Sequence, residues 1–302
     1  MMDPWTSLSR SAALVRYHRP SQFAWRLYRT VQRRLQRWLP ERFVFTAGQQ
    51  SAAWKPGARE AAGQIAAHRL GLWKERSRNA TEMAEGRFRF LQQTIDLAQT
   101  GPDATRVIDW NPDAPRLWRF QLQCHESLLE IADQCGADAA YQLVDSWLDQ
   151  PRHRFPTRDP DAWHPFCISR RLPVWLSLAS QFDPPERLRR RFWGSIADQA
   201  AWLRAHCEWD LGGNHLLENL TSLYLSDAFL TFDQGREKPL QSELRVQWDE
   251  KQLGLQLDLQ LLASGEHVER TPTYHALMMV CLRQCVHAAA FCQSPAEKWL
   301  SE

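Results

Sequence analysis

Glu208-Trp209-Asp210-Leu211-Gly212-Gly213-Asn214-His215-Leu216-Leu217-Glu218-Asn219, running on as LTSLYLSDAFL to Leu230, reads as a glycine turn that feeds a long helix. Asn214 and Glu218 are four apart, as are His215 and Asn219, and His215 and Glu218 are three apart, so these polar groups occupy adjoining faces of the first turns. A helix start also presents free N–H groups and the positive end of the dipole, which suits a carboxylate ligand. On spacing alone two readings weigh equally: a ligand site, or an Asn cap with a Glu that complements the dipole. His215 and Glu218 make half a metal site, a pairing common by chance.

Outward from this stretch the same pattern repeats. Helical periodicity covers residues 116–134, 137–149, 164–181, 185–206, 214–230, 239–262 and 273–290. The breaks fall at Gly136, Pro151, Asp183-Pro184-Pro185, Gly212-Gly213 and Pro272. Upstream, GRFRFLQQTIDL (Gly86–Leu97) alternates Phe88 and Phe90 with arginines, then Ile95 and Leu97 with Thr94 and Asp96, which predicts a β-hairpin near residues 87–97. Residues 41–65 mix Gly, Pro, Ser and Ala without a period and read as a linker. The chain is therefore expected to be mainly α, divided into a basic amphipathic leader (1–47), a linker and hairpin segment (48–110) and a helical body (111–302). Ser294-Pro295 opens a last helix, AEKWLSE, that stops within two turns, and the expectation is that the intact protein is longer.

With 302 residues, 44% hydrophobic and 24% charged, the composition is globular and excludes disorder and collagen-like repeats. No run approaches the roughly 18 apolar residues of a membrane-spanning helix, so no transmembrane segment is expected. A net charge of +2 is too balanced for a nucleic-acid coat, and no nucleic-acid partner is expected. The basic excess is local: residues 1–47 hold nine arginines against Asp3 and Glu41, a net of +7. In the opening of that leader the longest uncharged apolar run is Ala12–Val15, short of a secretory signal, so the sequence by itself places the chain in the cytoplasm. Ser21–Leu39 is amphipathic, with Ala24, Leu27, Tyr28, Val31, Leu35 and Trp38 on one side and arginines on the other. A helix packed on a larger body is the preferred reading, over one lying on anionic lipid or nucleic acid. Seven dispersed cysteines lack CxxC pairs and read as buried thiols, including Cys281 and Cys285 one turn apart. Most of the fifteen tryptophans are expected in the core.

A second reactive neighbourhood is Gly265-Glu266-His267-Val268-Glu269-Arg270-Thr271-Pro272-Thr273-Tyr274-His275, a loop entering a helix behind Pro272, with six ionisable side chains in eleven residues. The bland reading is a loop salt bridge of Glu269 with Arg270 or Arg204, and a tyrosine that only packs. A third is Ile168-Ser169-Arg170-Arg171-Leu172-Pro173-Val174-Trp175; arginine forks there suit carboxylates or sulfates.

Together these stretches resemble the heparinase II/III-type polysaccharide lyases. GGNHLLENLTSLYLSDAFL resembles that family's asparagine-histidine helix, GEHVERTPTYH its loop D-G-x-x-x-E-R-S-P-x-Y-H, and ISRRLPVW its I-S-x-R-x-x-x-W helix. GRFRFLQQTIDL and IDWNPDAPRLWRFQLQCHESLLEIA are similar to the entry of its helical domain, and LVRYHRPSQFAWRLYRTV to the basic N-terminal helix of some members. Ser264 stands where the family has Asp, Thr271 where it has Ser, and Val174 where it often has Asn.

The resemblance implies an incomplete α/α toroid of helical hairpins, followed in family members by a β-sandwich domain that would supply a catalytic histidine and any structural metal. No cofactor and no metal ligand is implied for this chain. The implied partner is an anionic uronate polysaccharide, cut by β-elimination. Asn214 and His215 would neutralise the uronate carboxylate, and Tyr274 would act as base and then acid, with Glu218, Arg171, Glu269, Arg270 and His275 as substrate contacts. A free tyrosine titrates at about 10, so the role asks for a cation such as Arg270 or His275 nearby. The alternative from another class is a non-catalytic acidic-polysaccharide binder or surface-polymer assembly protein on the same fold. The family is often periplasmic, an expectation that stands beside the missing signal.

Overall fold

A computed structural model describes residues 20–38, 51–73, 79–100, 106–154, 156, 159–233 and 239–301. The leader outside its helix, and residues 41–50 of the expected linker, lie outside these. In chain order the helices are α1 Pro20–Trp38, α2 Ala58–Trp73, α3 Ala80–Ala84, α4 Arg116–Cys124, α5 Leu128–Cys135, α6 Ala137–Leu148, α7 Pro165–Gln181, α8 Glu186–His206, α9 Gly213–Phe229, α10 Pro239–Gln260, α11 Pro272–Cys292 and α12 Ala296–Ser301. The strands are β1 Ser51–Trp54, β2 Arg87–Phe90, β3 Gln93–Asp96, β4 Ala98–Thr100, β5 Arg106–Ile108 and β6 Leu230–Asp233.

Helix α9 has apolar or small residues on every side, and it is buried without a break from Leu216 to Phe229. It packs against α7 and α11, and α2 packs on both of those in turn. Between these inner helices, α8 and α10 carry the chain back on the outside, α8 against α7 and α10 against α9. The result is mainly α, an incomplete α/α toroid of helical hairpins with three small antiparallel sheets at its margin. The inner helices α7 and α11 each start behind a proline at the first helical turn, and α9 starts at Gly212. Gly212, at φ 68° and ψ −152°, holds a backbone conformation that a side chain would strain.

The core is aromatic. Trp118, Trp147 and Trp175 are fully buried, with Trp175 stacked on Phe192 at 5.1 Å and edge-on to Trp147 at 5.6 Å. His125 sits among Trp110, Trp147 and Trp175, and its Nδ1 accepts the Trp175 Nε1–H at 3.1 Å. Burial pushes the His125 pKa well down, so the ring is the neutral acceptor this bond requires. The left-handed backbone of His125 (φ 58°) that puts the ring there ends α4, which is why the helix expected over 116–134 is two helices.

The hairpin forms as expected, with Arg87 opposite Asp96 and Phe88 opposite Ile95 around Leu91 and Gln92. One reading is corrected and two are refined. Residues 51–65, expected as linker, contain β1, which pairs with β6, and the first half of α2, whose Ala58, Ala62 and Ile65 are buried. Alanine and glycine there allow close packing against α7, which hides the apolar periodicity a helix usually displays. α11 is long and apolar enough to cross a membrane by length and composition. Met278, Cys281, Cys285, Ala288 and Ala289 on it are buried against the other inner helices, so it is a core helix. α1 does pack on the body, but with its polar side inward. Trp25 stacks on Trp209 at 5.8 Å, Arg29 pairs with Asp210, Gln22 Nε2 donates to Leu211 O at 3.2 Å, and Gln32 Nε2 donates to Ala205 O at 3.2 Å.

Arg204 of α8 joins Asp227 of α9 to Asp249 of α10, with Nη1 3.1 Å from Asp249 Oδ1. Both carboxyls are buried and hydrogen-bonded to each other; burial pushes both up, Asp249 to about 7, although Arg204 pulls the other way. The folded state thus keeps a proton that unfolded carboxyls release near about 4. That favours folding at low pH, and the contribution is lost as pH rises through about 7. The urea midpoint should fall between about pH 5 and about pH 8, and less so in Asp249→Asn. An undiminished fall in the variant would contradict the shared proton. Trp175→Ala should lower unfolding free energy by roughly 3–5 kcal/mol, and a cost under about 1 kcal/mol would contradict its place in the core.

Candidate active site

The glycine turn aims the first turn of α9 outward before the helix is enclosed. Asn214 and His215 are half-buried, whereas Leu216 and everything after it to Phe229 is buried. Asn214 has no side-chain hydrogen-bond partner among the described residues, and Gly212 is the cap, so Asn214 is not spent on capping.

His215 is held from behind. Its Nδ1 lies 3.4 Å from Oε2 of Glu208, which is fully buried. Buried Asn219, one turn further along α9, fixes that glutamate: its Oδ1 accepts the Glu208 N–H at 2.8 Å and its Nδ2 donates to Glu208 Oε2 at 3.4 Å. The hydrogen bond to Glu208 raises the His215 pKa against the opposing effect of partial burial. Burial pushes Glu208 up, but its bond to His215 and the charges of His215 and Arg29 bring it down overall. Glu208 therefore stays ionised and favours a charged His215, whose ring rests on Phe166 at 5.3 Å. Glu208 was in the stretch that opened the sequence reading, but nothing in its spacing distinguished it.

The loop before α11 folds around buried His267. The His267 Nδ1 accepts the Glu269 N–H at 3.2 Å, leaving Nε2–H to donate toward Gln260 Oε1 at 3.4 Å. Gln260 also donates to the Gly213 carbonyl at 3.0 Å, so one amide ties this loop to the turn before α9. Glu269 comes close to Gly213: a Cβ built there would lie 3.8 Å from Glu269 Oε1. Thr271 caps α11 by accepting the Tyr274 N–H at 3.3 Å, which is the service a serine would give, so that departure from the family motif is conservative. Tyr274 is half-buried, with its ring 6.0 Å from that of His267. Arg270 and His275 are exposed, and Arg270 holds a left-handed backbone at φ 50°. The alternative pairing of Glu269 with Arg204 does not occur, because Arg204 is engaged by Asp227 and Asp249.

Two expected substrate contacts are corrected. Arg171 is fully buried, donating to Gln199 Oε1 at 2.7 Å and to the carbonyls of Gln123 and Ala162 at 2.8 Å, over the Trp147 ring at 4.4 Å. It ties α7 to its neighbours and faces no ligand. Glu218 is forked onto Arg170, with Nε–Oε2 2.7 Å and Nη2–Oε1 3.1 Å. A carboxylate neutralised in this way positions a cation and does not approach an anionic polymer. Arg170, 4.4 Å over the Phe166 ring that also carries His215, is the arginine nearest this site that the sequence motif did not single out.

Beside these groups a cleft of about 410 Å³ opens between Arg29 and Gln32 of α1 and Arg116, Trp163, His164 and Trp202. His164 caps α7, its Nδ1 accepting the Phe166 N–H at 3.3 Å, and burial lowers its pKa to about 4, so it is neutral. The starts of α7, α9 and α11 thus carry the candidate groups, His164 and Arg170 on α7, Asn214 and His215 on α9, Tyr274 and His275 on α11. Three positive dipole ends lie at one face, an arrangement that can hold a carboxylate. Among the described residues no three His, Cys, Asp or Glu side chains gather as a metal site.

No family model and no curated protein matches the chain. Among solved structures, the heparan sulfate lyase HepC from Pedobacter heparinus is similar at 19% identity and TM-score 0.51, over 72% of this chain and 34% of that one. A mutant of the same lyase matches at 18% identity and TM-score 0.48, over the same shares. The chain spans about a third of the length of that lyase, 34%. What the two have in common is the architecture, a distant polysaccharide lyase-like fold.

Proposed function

We propose that this is a polysaccharide lyase-like protein whose helical body acts on a uronate-containing anionic polysaccharide by β-elimination. The observation that carries the reading is the Gln260 bridge, which joins the turn before Asn214 and His215 to the loop before Tyr274. Without that junction the two motifs are separate helix starts.

In the proposed reaction the uronate carboxylate lies at the start of α9. Asn214 donates to it, and His215, whose charged form Glu208 favours, neutralises it. Withdrawing that charge makes the adjacent C5–H acidic enough for removal by the Tyr274 oxygen in its deprotonated form. The C5–H electron pair becomes the C4=C5 double bond, the C4–O4 bond breaks, and the proton on Tyr274 passes to the departing O4. Arg270, His275 and Glu269 are the proposed substrate contacts, with Arg170 and its partner Glu218 behind them. The aromatic and arginine-lined cleft beside His164 gives neighbouring sugars a path.

Purified chain incubated with heparan sulfate, heparin, hyaluronan or alginate should develop the ultraviolet absorbance of the C4=C5 product with at least one polymer. Tyr274→Phe should lower turnover at least about 100-fold with folding unchanged. Retained turnover in that variant would remove Tyr274 from the mechanism; polymer binding without any product would favour the non-catalytic binder. The pKa of His215, followed by NMR, should lie above the ordinary 6.5 and fall in Glu208→Gln. An unchanged titration would show that Glu208 does not hold the charge.

A further inference from the structure

Amphipathic helices on soluble proteins turn their apolar side to the body, and α1 does the reverse. Gln22, Trp25, Arg29, Gln32 and Gln36 recur at three- and four-residue spacing and make the contacts to residues 205–211. Four of these five anchors are polar. On the other side Leu27, Val31, Leu35 and Trp38 line up at the same spacing, with Tyr28 beside them, and are between 48% and 85% exposed. Five large apolar side chains in one seam exceed the scattered exposure normal for a monomer surface.

The charge around the seam selects what covers it. Besides Arg29, which is turned to the body and paired with Asp210, the helix sequence contains Arg26, Arg33, Arg34 and Arg37 and no acidic residue, within a leader of net +7. A second copy of α1 laid on the seam would bring two such charge sets together. An anionic lipid surface satisfies both features, since apolar side chains enter the acyl boundary while arginines meet the headgroups. The geometry points to α1 as an interfacial anchor that seats the protein on an anionic membrane surface. α1 leans on Trp209, Asp210 and Leu211, next to Glu208, so docking would bring the candidate active site to within a helix width of the membrane. The inference stands independently of the proposed reaction.

The test is flotation of the full chain with vesicles of phosphatidylcholine alone and of phosphatidylcholine and phosphatidylglycerol at roughly seven to three. Binding is expected only with phosphatidylglycerol and should weaken as salt rises. Leu27→Asp/Val31→Asp/Leu35→Asp should cut the bound fraction at least about tenfold while circular dichroism and melting stay as in the parent. If that variant misfolds, the milder Leu27→Gln/Val31→Gln/Leu35→Gln is expected to fold and to lose binding in the same direction. Absence of binding to both vesicles, equal binding by a folded seam variant, or a dimer broken by the seam variant without vesicle binding would each overturn the proposal.

Discussion

Helix α9 has no solvent side once its first turn is past, and the rest of the molecule is arranged around that fact. A helix enclosed on all faces can be reached by a ligand only at its ends. Its C-terminal end runs directly into β6, which pairs with β1, so the accessible end is the one behind Gly212. Asn214 and His215 are the two residues placed there. The inner neighbours α7 and α11 begin at the same face, so free N–H groups and dipoles add, and a carboxylate is the ligand that face favours.

The polar groups around this point are tied together by buried intermediaries. Glu208 and Asn219 hold His215, Gln260 links the two loops, and Glu218 holds Arg170. Each intermediary is buried and hydrogen-bonded, which is the condition for a fixed geometry at the exposed groups they support. This separates two kinds of residue that look alike in sequence. Asn214, His215 and Tyr274 reach the surface, while Glu218 and Arg171 stabilise the arrangement from within.

Much of the fold was legible because helices in this chain are bounded by strong breakers. Pro184-Pro185, Pro272 and the Gly212-Gly213 pair mark starts that the structure reproduces within a residue. Three features were hidden for physical reasons. Seven of the sixteen residues of α2 are alanine or glycine, whose small side chains allow burial without an apolar stripe. The break at His125 depends on tertiary burial of its ring among three tryptophans, which no local pattern encodes. The inverted seating of α1 depends on Trp209 and Asp210, nearly two hundred residues away in the chain, with Arg29 and Asp210 separated by 181 positions. At the site, the motif positions were legible and the roles were not. Burial takes Arg171 out of a ligand's reach, whereas adjacent Arg170 is partly exposed and held by Glu218.

The central claim is that the starts of α9 and α11 form one carboxylate-directed site. A crystal structure of the chain with a bound uronate oligosaccharide tests it most directly. The account predicts a uronate carboxylate against Asn214 and His215, with the sugar's C5 facing Tyr274. A uronate held elsewhere on the molecule, or one that meets Asn214 and His215 with C5 turned away from Tyr274, would contradict it.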